Sequence, residues 1–119
     1  MKKTFTYSDR LHGRRGFSAV YDAKVRKNAG PLLVFTRPND AGRHRLGLSV
    51  GRRVGKAVTR SRVKRMVREA FRLTRHGWPG AYDLVVVVRP HEGLKLADYQ
   101  RLLGDAVAAA DRTWRKREG

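Results

Sequence analysis

Between Val63 and Thr74 the apolar positions return with the period of a helix. Val63, Met66, Val67, Ala70, Phe71 and Thr74 stand at i, i+3, i+4, i+7, i+8 and i+11 and make one buried face. Thr59 and Ser61 are both suited to cap such a helix, which places its start near one or the other. A longer amphipathic pattern begins near Ala97 and runs through Tyr99, Leu102, Leu103, Ala106, Val107, Ala110 and Trp114. A short one covers Arg14 to Ala23, where Phe17, Val20 and Tyr21 share a face. Two alternating runs, LLVFTR at 32–37 and RLGLSV at 45–50, are linked by Pro38, Asn39, Asp40 and Gly42 and read as a hairpin. In the second run Leu46, Leu48 and Val50 point to a core. Arg45, Gly47 and Ser49 leave the other face shallow enough for another chain to approach closely. The uninterrupted LVVVV within Tyr82 to Arg89 predicts a strand buried on both faces, in the middle of a sheet.

The remaining stretches punctuate these elements. Gly77, Pro79 and Gly80 separate the central helix from the LVVVV strand, and Asn28 to Pro31 make a turn. Lys24 to Lys27 either extend the first helix or form a short edge strand. Residues 1–10 have no period and read as a loose basic arm, and residues 115–119, RKREG, as a frayed tail. Without an internal repeat or a linker, residues 1–119 form a single domain.

Charge narrows the function. The formal net charge is +18, and residues 43–76 hold twelve Lys or Arg against one acid, Glu69. Lys64, Arg68, Arg72 and Arg75 fall beside one another on the central helix, with Arg60 at the edge of the stripe. Like charges at this spacing cost a helix about 0.2 to 0.5 kcal/mol per pair, and a face that is merely solvated usually mixes both signs. A polyanion surface accounts for the stripe. The longest apolar run is too short to cross a bilayer, and Lys2 and Lys3 lead into polar TFTYSDR rather than an apolar segment. Nucleic acid is therefore favoured over membrane, and a cytoplasmic location is expected. Twenty arginines against eight lysines suit bidentate phosphate contacts, although a GC-rich genome would produce the same bias.

Candidate catalytic groups are absent from the pattern. There is no cysteine, which excludes disulfides, zinc ribbons and thiol nucleophiles. His12, His44, His76 and His91 lack metal-ligand spacing, and no close pair of acids suits two metal ions. The candidate phosphate-binding residues are Arg52, Arg53 and Lys56 in the loop before the helix, and Arg60, Ser61, Arg62, Lys64, Arg65 and Arg68 on it. Gly51 and Gly55 would let loop amides approach an anion, or simply make a turn. Phe17, Tyr21 and Phe35 read by spacing as core residues, although Phe35 shares strand parity with Leu33 and Arg37 and lies on the open face beside Ser49.

The stretch SVGRRVGKAVTRSRVKRMVREAF resembles the signature of the protein subunit of bacterial ribonuclease P. RLHGRRGFSAVY, LLVF, RLGLSV and YDLVVVVRP sit where that family has matching pieces, so the resemblance extends to about residue 105. It implies a two-layer α+β fold of order αβββαβα with a mixed central sheet and a left-handed crossover, and it turns residues 24–27 toward the edge strand. It also implies a subunit of an endonuclease that removes the 5′ leader of precursor tRNA, with catalysis by the RNA partner and Mg2+ held on the RNA side. The protein would be a monomer in a 1:1 complex with ribonuclease P RNA. Phe17, Tyr21, Phe35 and Arg89 would hold the single-stranded leader in a cleft. The chain departs from the family at Ser61, where Asn is usual; Ser keeps the capping capacity but has no amide donor. Gly51 stands where Ser is common, and Arg52 and Arg53 where Lys is common. A ribosomal-type structural RNA-binding protein is the alternative. A DNA-binding regulator is third, since the helix offers no Asn or Gln to bases.

Overall fold

The computed structural model describes residues 9–118. In chain order the elements are α1 (Gly13–Asp22), β1 (Val25–Ala29), β2 (Leu32–Pro38), β3 (Arg45–Val50), α2 (Ala57–Thr74), β4 (Tyr82–Val88) and α3 (Leu96–Glu118). The four strands form one mixed sheet in the order β1-β2-β4-β3. Residues 24–27 accordingly belong mostly to an edge strand, which turns into β2 through Gly30 and Pro31. Gly30 has φ +56°, a conformation that favours glycine.

The sheet corrects one expectation. Residues 32–37 and 45–50 do not pair as a hairpin, because β4 lies between them. It is antiparallel to β2, with Leu32 opposite Val88, and parallel to β3, with Val50 opposite Val88. A strand apolar on both faces gains most where both of its edges and both of its faces are covered. The link from β2 to β3 therefore spans a strand position, and α2 forms the crossover between two adjacent parallel strands.

One sheet face packs on α2 and α3. Leu32, Val34, Leu46, Leu84, Val86 and Val88 meet Val63, Val67, Ala70 and Phe71 of α2 and Leu103, Ala106 and Val107 of α3. The other face carries a smaller cluster, in which Leu11, Val20 and Val85 are buried and Phe17, Tyr21, Phe35 and Val87 pack around them. Gly47 sits under α1: a Cβ there would meet the Phe17 ring at 2.6 Å. The shallow face of β3 thus receives Phe17 of the same chain.

Helix α2 begins earlier than its capping residues suggested. Lys56 is the N-cap and makes no side-chain cap hydrogen bond, so neither Thr59 nor Ser61 caps, and Ser61 is exposed inside the helix. A short 3-10 turn at Arg52–Val54 and Gly55, with φ +150°, set the start instead. The two termini also differ from expectation within the described residues. Asp9 is buried in an ion pair with Arg75, and the Leu11 amide donates to the Leu46 carbonyl at 2.9 Å, so residues 9 and 10 are pinned along the edge of β3. The arm at residues 1–8 lies outside the described residues. Helix α3 continues through Glu118, with Arg115 donating to Asp111 at 2.7 Å and Arg117 lying over Trp114.

Two measurements probe this packing. Gly47→Ala places a methyl against Phe17, and overpacking of this kind costs about 1 to 3 kcal/mol. In a Phe17→Ala background the same change is expected to cost under about 0.5 kcal/mol, which a double-mutant cycle by urea unfolding reads directly. Buried His44 accepts a hydrogen bond from the Tyr82 amide at 3.1 Å on Nδ1. Burial, followed by the charge of Arg75, helps hold its pKa below the usual 6.5 despite opposing backbone contacts and Asp111. The unfolded chain then binds the proton first as pH falls. The stability that His44 contributes is complete above about pH 6.5 and is lost as pH drops through the folded value. Unfolding free energy should decline between pH 7 and 5, above the carboxylate range, and His44→Gln should flatten that decline.

Candidate nucleic-acid interface

The 3-10 turn before α2 is closed by the Val54 amide on the Gly51 carbonyl and the Gly55 amide on the Arg52 carbonyl, both 3.1 Å. Arg52, Arg53 and Lys56 project from it into solvent. Arg60 is half-buried and donates from Nε to the Gly55 carbonyl at 3.2 Å, so this predicted phosphate ligand also braces the loop. Gly51 needs no glycine-specific backbone and has open space around it, whereas Gly55 takes the positive φ.

Along α2 the predicted cations separate into a crest and two flanks. Ser61, Arg65 and Val58 are exposed, and Val58 stands out as a large apolar side chain left 82% accessible. On one flank Lys64 and Arg68 line a cavity of about 540 Å³ with Arg10, His12, Phe17 and Leu48. Arg62 lines a second cavity on the opposite flank. Burial and then the neighbouring Arg10 charge lower the pKa of Arg68, as expected where cations are crowded with incomplete solvation.

Two members of the predicted stripe are engaged internally. Arg72 pairs with Glu69, and Arg75 is buried against Asp9 with its guanidinium 5.4 Å from the Phe71 ring centre. Arg10 and His12 were missed as site residues. Their placement depends on Asp9 meeting Arg75 and Leu11 meeting Leu46, contacts that no local pattern announces.

The aromatic residues are neither fully core nor fully free. Phe17, Tyr21 and Phe35 are each half-buried, and the Tyr21 and Phe35 rings meet edge-to-face at 4.8 Å. They share the α1 face of the sheet, with Phe17 over Gly47 of β3 and Phe35 opposite Val85 of β4. Phe35 does occupy the expected face, but β4 separates it from Ser49. Arg89 follows β4 and donates to Asn28 Oδ1 at 3.0 Å, at the end of the sheet formed by the β1–β2 turn. The face therefore offers ring surface in the middle, Arg89 past the end of β4, and Arg10, Lys64 and Arg68 along the edge of β3. Among the described residues, no group of three or more His, Asp or Glu side chains converges to hold a metal ion, and no helix is long and apolar enough to cross a membrane.

Comparison with known proteins gives a consistent result. The family model described as Ribonuclease P matches residues 5–114. The chain is 40% identical over 98 residues to the ribonuclease P protein component of Desulfovibrio desulfuricans, covering 81% of this chain and 75% of that one. It is 34% identical over 106 residues to the corresponding component of Syntrophus aciditrophicus, covering 87% and 89%. Its fold superposes on the RNase P protein from Thermotoga maritima with a TM-score of 0.75 at 30% identity, covering 84% of this chain and 96% of that one.

The distribution of cations sets an expected salt response. With on the order of five to eight phosphates neutralised by the crest, the flanks and the loop, log affinity for RNA should fall against log salt with a slope of about −4 to −7. A filter-binding titration across salt concentrations reads the slope, and a nearly flat line would remove the polyanion assignment.

Proposed function

The chain belongs to the ribonuclease P protein family, and on that premise we propose that it binds two RNAs with two neighbouring surfaces. It is the protein component of an endoribonuclease, ribonuclease P, and its partner is the ribonuclease P RNA. In this reading Arg52, Arg53, Lys56, Arg60, Ser61, Arg62, Lys64, Arg65 and Arg68 engage the phosphates of that RNA. Phe17, Tyr21, Phe35 and Arg89 receive the 5′ leader of precursor tRNA. The complex is 1:1 and works in the cytoplasm.

The observation behind this division is the cavity between α1 and α2. Phe17 forms part of its lining from the aromatic side, and Lys64 and Arg68 close it from the cationic side. A strand lying on the α1 face would stack bases on half-buried rings while its backbone runs toward those cations. Stacking is tolerant of sequence because every base has a π-face, which suits leaders of varied sequence. In this reading the Mg2+ ions of the reaction are held on the RNA side. The chain's part is binding and orientation. Family membership displaces the ribosomal-type alternative.

Substrate and product should then differ at the protein. The α1 face is filled only while the leader is attached, so Phe17→Ala or Tyr21→Ala in the assembled enzyme should cost about 1 to 3 kcal/mol of precursor affinity. Mature tRNA affinity should stay within about twofold. Circular dichroism and urea unfolding establish that each variant is folded, and an equal loss for both tRNAs would remove the leader from this face.

A further inference from the structure

On the other flank of α2, a cavity of about 500 Å³ opens between the first half of the helix and the loop joining β4 to α3. We propose that this cavity takes one unstacked nucleobase of the ribonuclease P RNA; the inference rests on the reading that α2 faces that RNA.

The lining has two chemistries. Val63 and Tyr99 are buried, and Met66 and Leu94 half-buried, making an apolar floor. Arg62 and Lys95 lie at its edge with Glu92. His91 is fixed between two partners. Its Nδ1 lies 2.8 Å from the Arg89 carbonyl and so carries the proton, which leaves Nε2 to accept from the Tyr99 hydroxyl at 2.6 Å. The polar ends of His91 and Tyr99 thus satisfy each other, and what remains for a ligand is ring and aliphatic surface.

A phosphate would lose its hydration against that floor without gaining a donor there. A flat base loses little on entering and gains contact, and structured RNA is read mainly through bases splayed out of its helices. The thioether of Met66 adapts to the shape of what enters. Glu92 orients the guest: its carboxylate repels phosphate and accepts from amino or imino groups on a base edge. Arg62 and Lys95 then hold the flanking phosphates outside. Val58, one turn before Arg62, gives the same side of the helix an apolar lip that its fold does not otherwise use.

The test uses a bacterial ribonuclease P RNA and the full chain. Base-edge reactivity toward dimethyl sulfate and carbodiimide is mapped across the RNA alone, with the wild-type chain, and with Thr59→Trp, an exposed substitution that obstructs the mouth. Leu94→Ala, which removes part of the floor, is the second variant, and urea unfolding confirms that both are folded. One or two bases should lose reactivity on binding the wild-type chain and regain it with Thr59→Trp. Affinity should fall about five- to a hundredfold, the range for loss of one seated base. Unchanged base reactivity, or affinity within about twofold of wild type for both variants, overturns the assignment. If Arg65→Ala still weakens binding in that case, the α2 interface stands and only the base pocket falls. If Arg65→Ala leaves RNA affinity within about twofold of wild type as well, both fall together.

Discussion

The surface chemistry of this chain depends on β4 holding the centre of the sheet. Leu84, Val85 and Val86 are fully buried, covered from both sides, and this burial dictates helices on both faces. β3 lies beside β4 as a parallel neighbour, and a parallel pair requires a crossover rather than a tight turn. The crossover is α2. A helix in that position must bury one side on the sheet, and Val58, Ser61 and Arg65 lie on its outward side, exposed to solvent. The exposed crest is thus a consequence of strand order, and the two cavities are the valleys on either side of it.

The acidic residues sort the positive charge into two populations. Arg45, Arg72, Arg75, Arg101 and Arg115 pair with Asp83, Glu69, Asp9, Asp98 and Asp111. None of these pairs uses Arg62, Lys64, Arg65 or Arg68. The exposed pairs contribute little, about 0 to 1 kcal/mol each, while the buried Asp9–Arg75 pair has a positional role: it brings Arg10 and His12 to the cavity shared by α1 and α2. Breaking it by removing one partner would leave a buried charge, a change that costs about 3 to 5 kcal/mol. Acids are thus concentrated where they hold the fold, and apart from Glu92 at the second cavity the α2 surface proposed to meet RNA presents cations such as Arg62, Lys64 and Arg65, unpaired among the described residues.

The apolar face of α2, the doubly buried β4 and the alternation in β3 were legible because each is a local period. The pairing of β3 with β4 was not, since a period of two says which residues share a face but not which strand lies alongside. The start of α2 was misplaced for a related reason. Ser61 has capping chemistry, but the backbone of Gly55 and Lys56 had already turned the chain into the helix. In the stripe, Glu69 beside Arg72 was readable three residues away, whereas the acid that engages Arg75 lies far off in sequence. The aromatic residues divided two readings because both hold in part. One side of each ring packs on Leu11, Val20 or Val85, and another side remains at the surface.

That half-burial ties recognition to stability. A ring packed on one side is held in a single orientation before any base arrives, so stacking costs little ordering of the protein. Gly47 sets the depth of Phe17: with any side chain at that position the ring would stand higher and the cavity beside Arg68 would change shape. The residue that most directly shapes the proposed junction between leader and catalytic RNA therefore has no side chain to contact either one. Its effect is exerted through Phe17, which belongs both to the small core under α1 and to the wall of the cationic cavity.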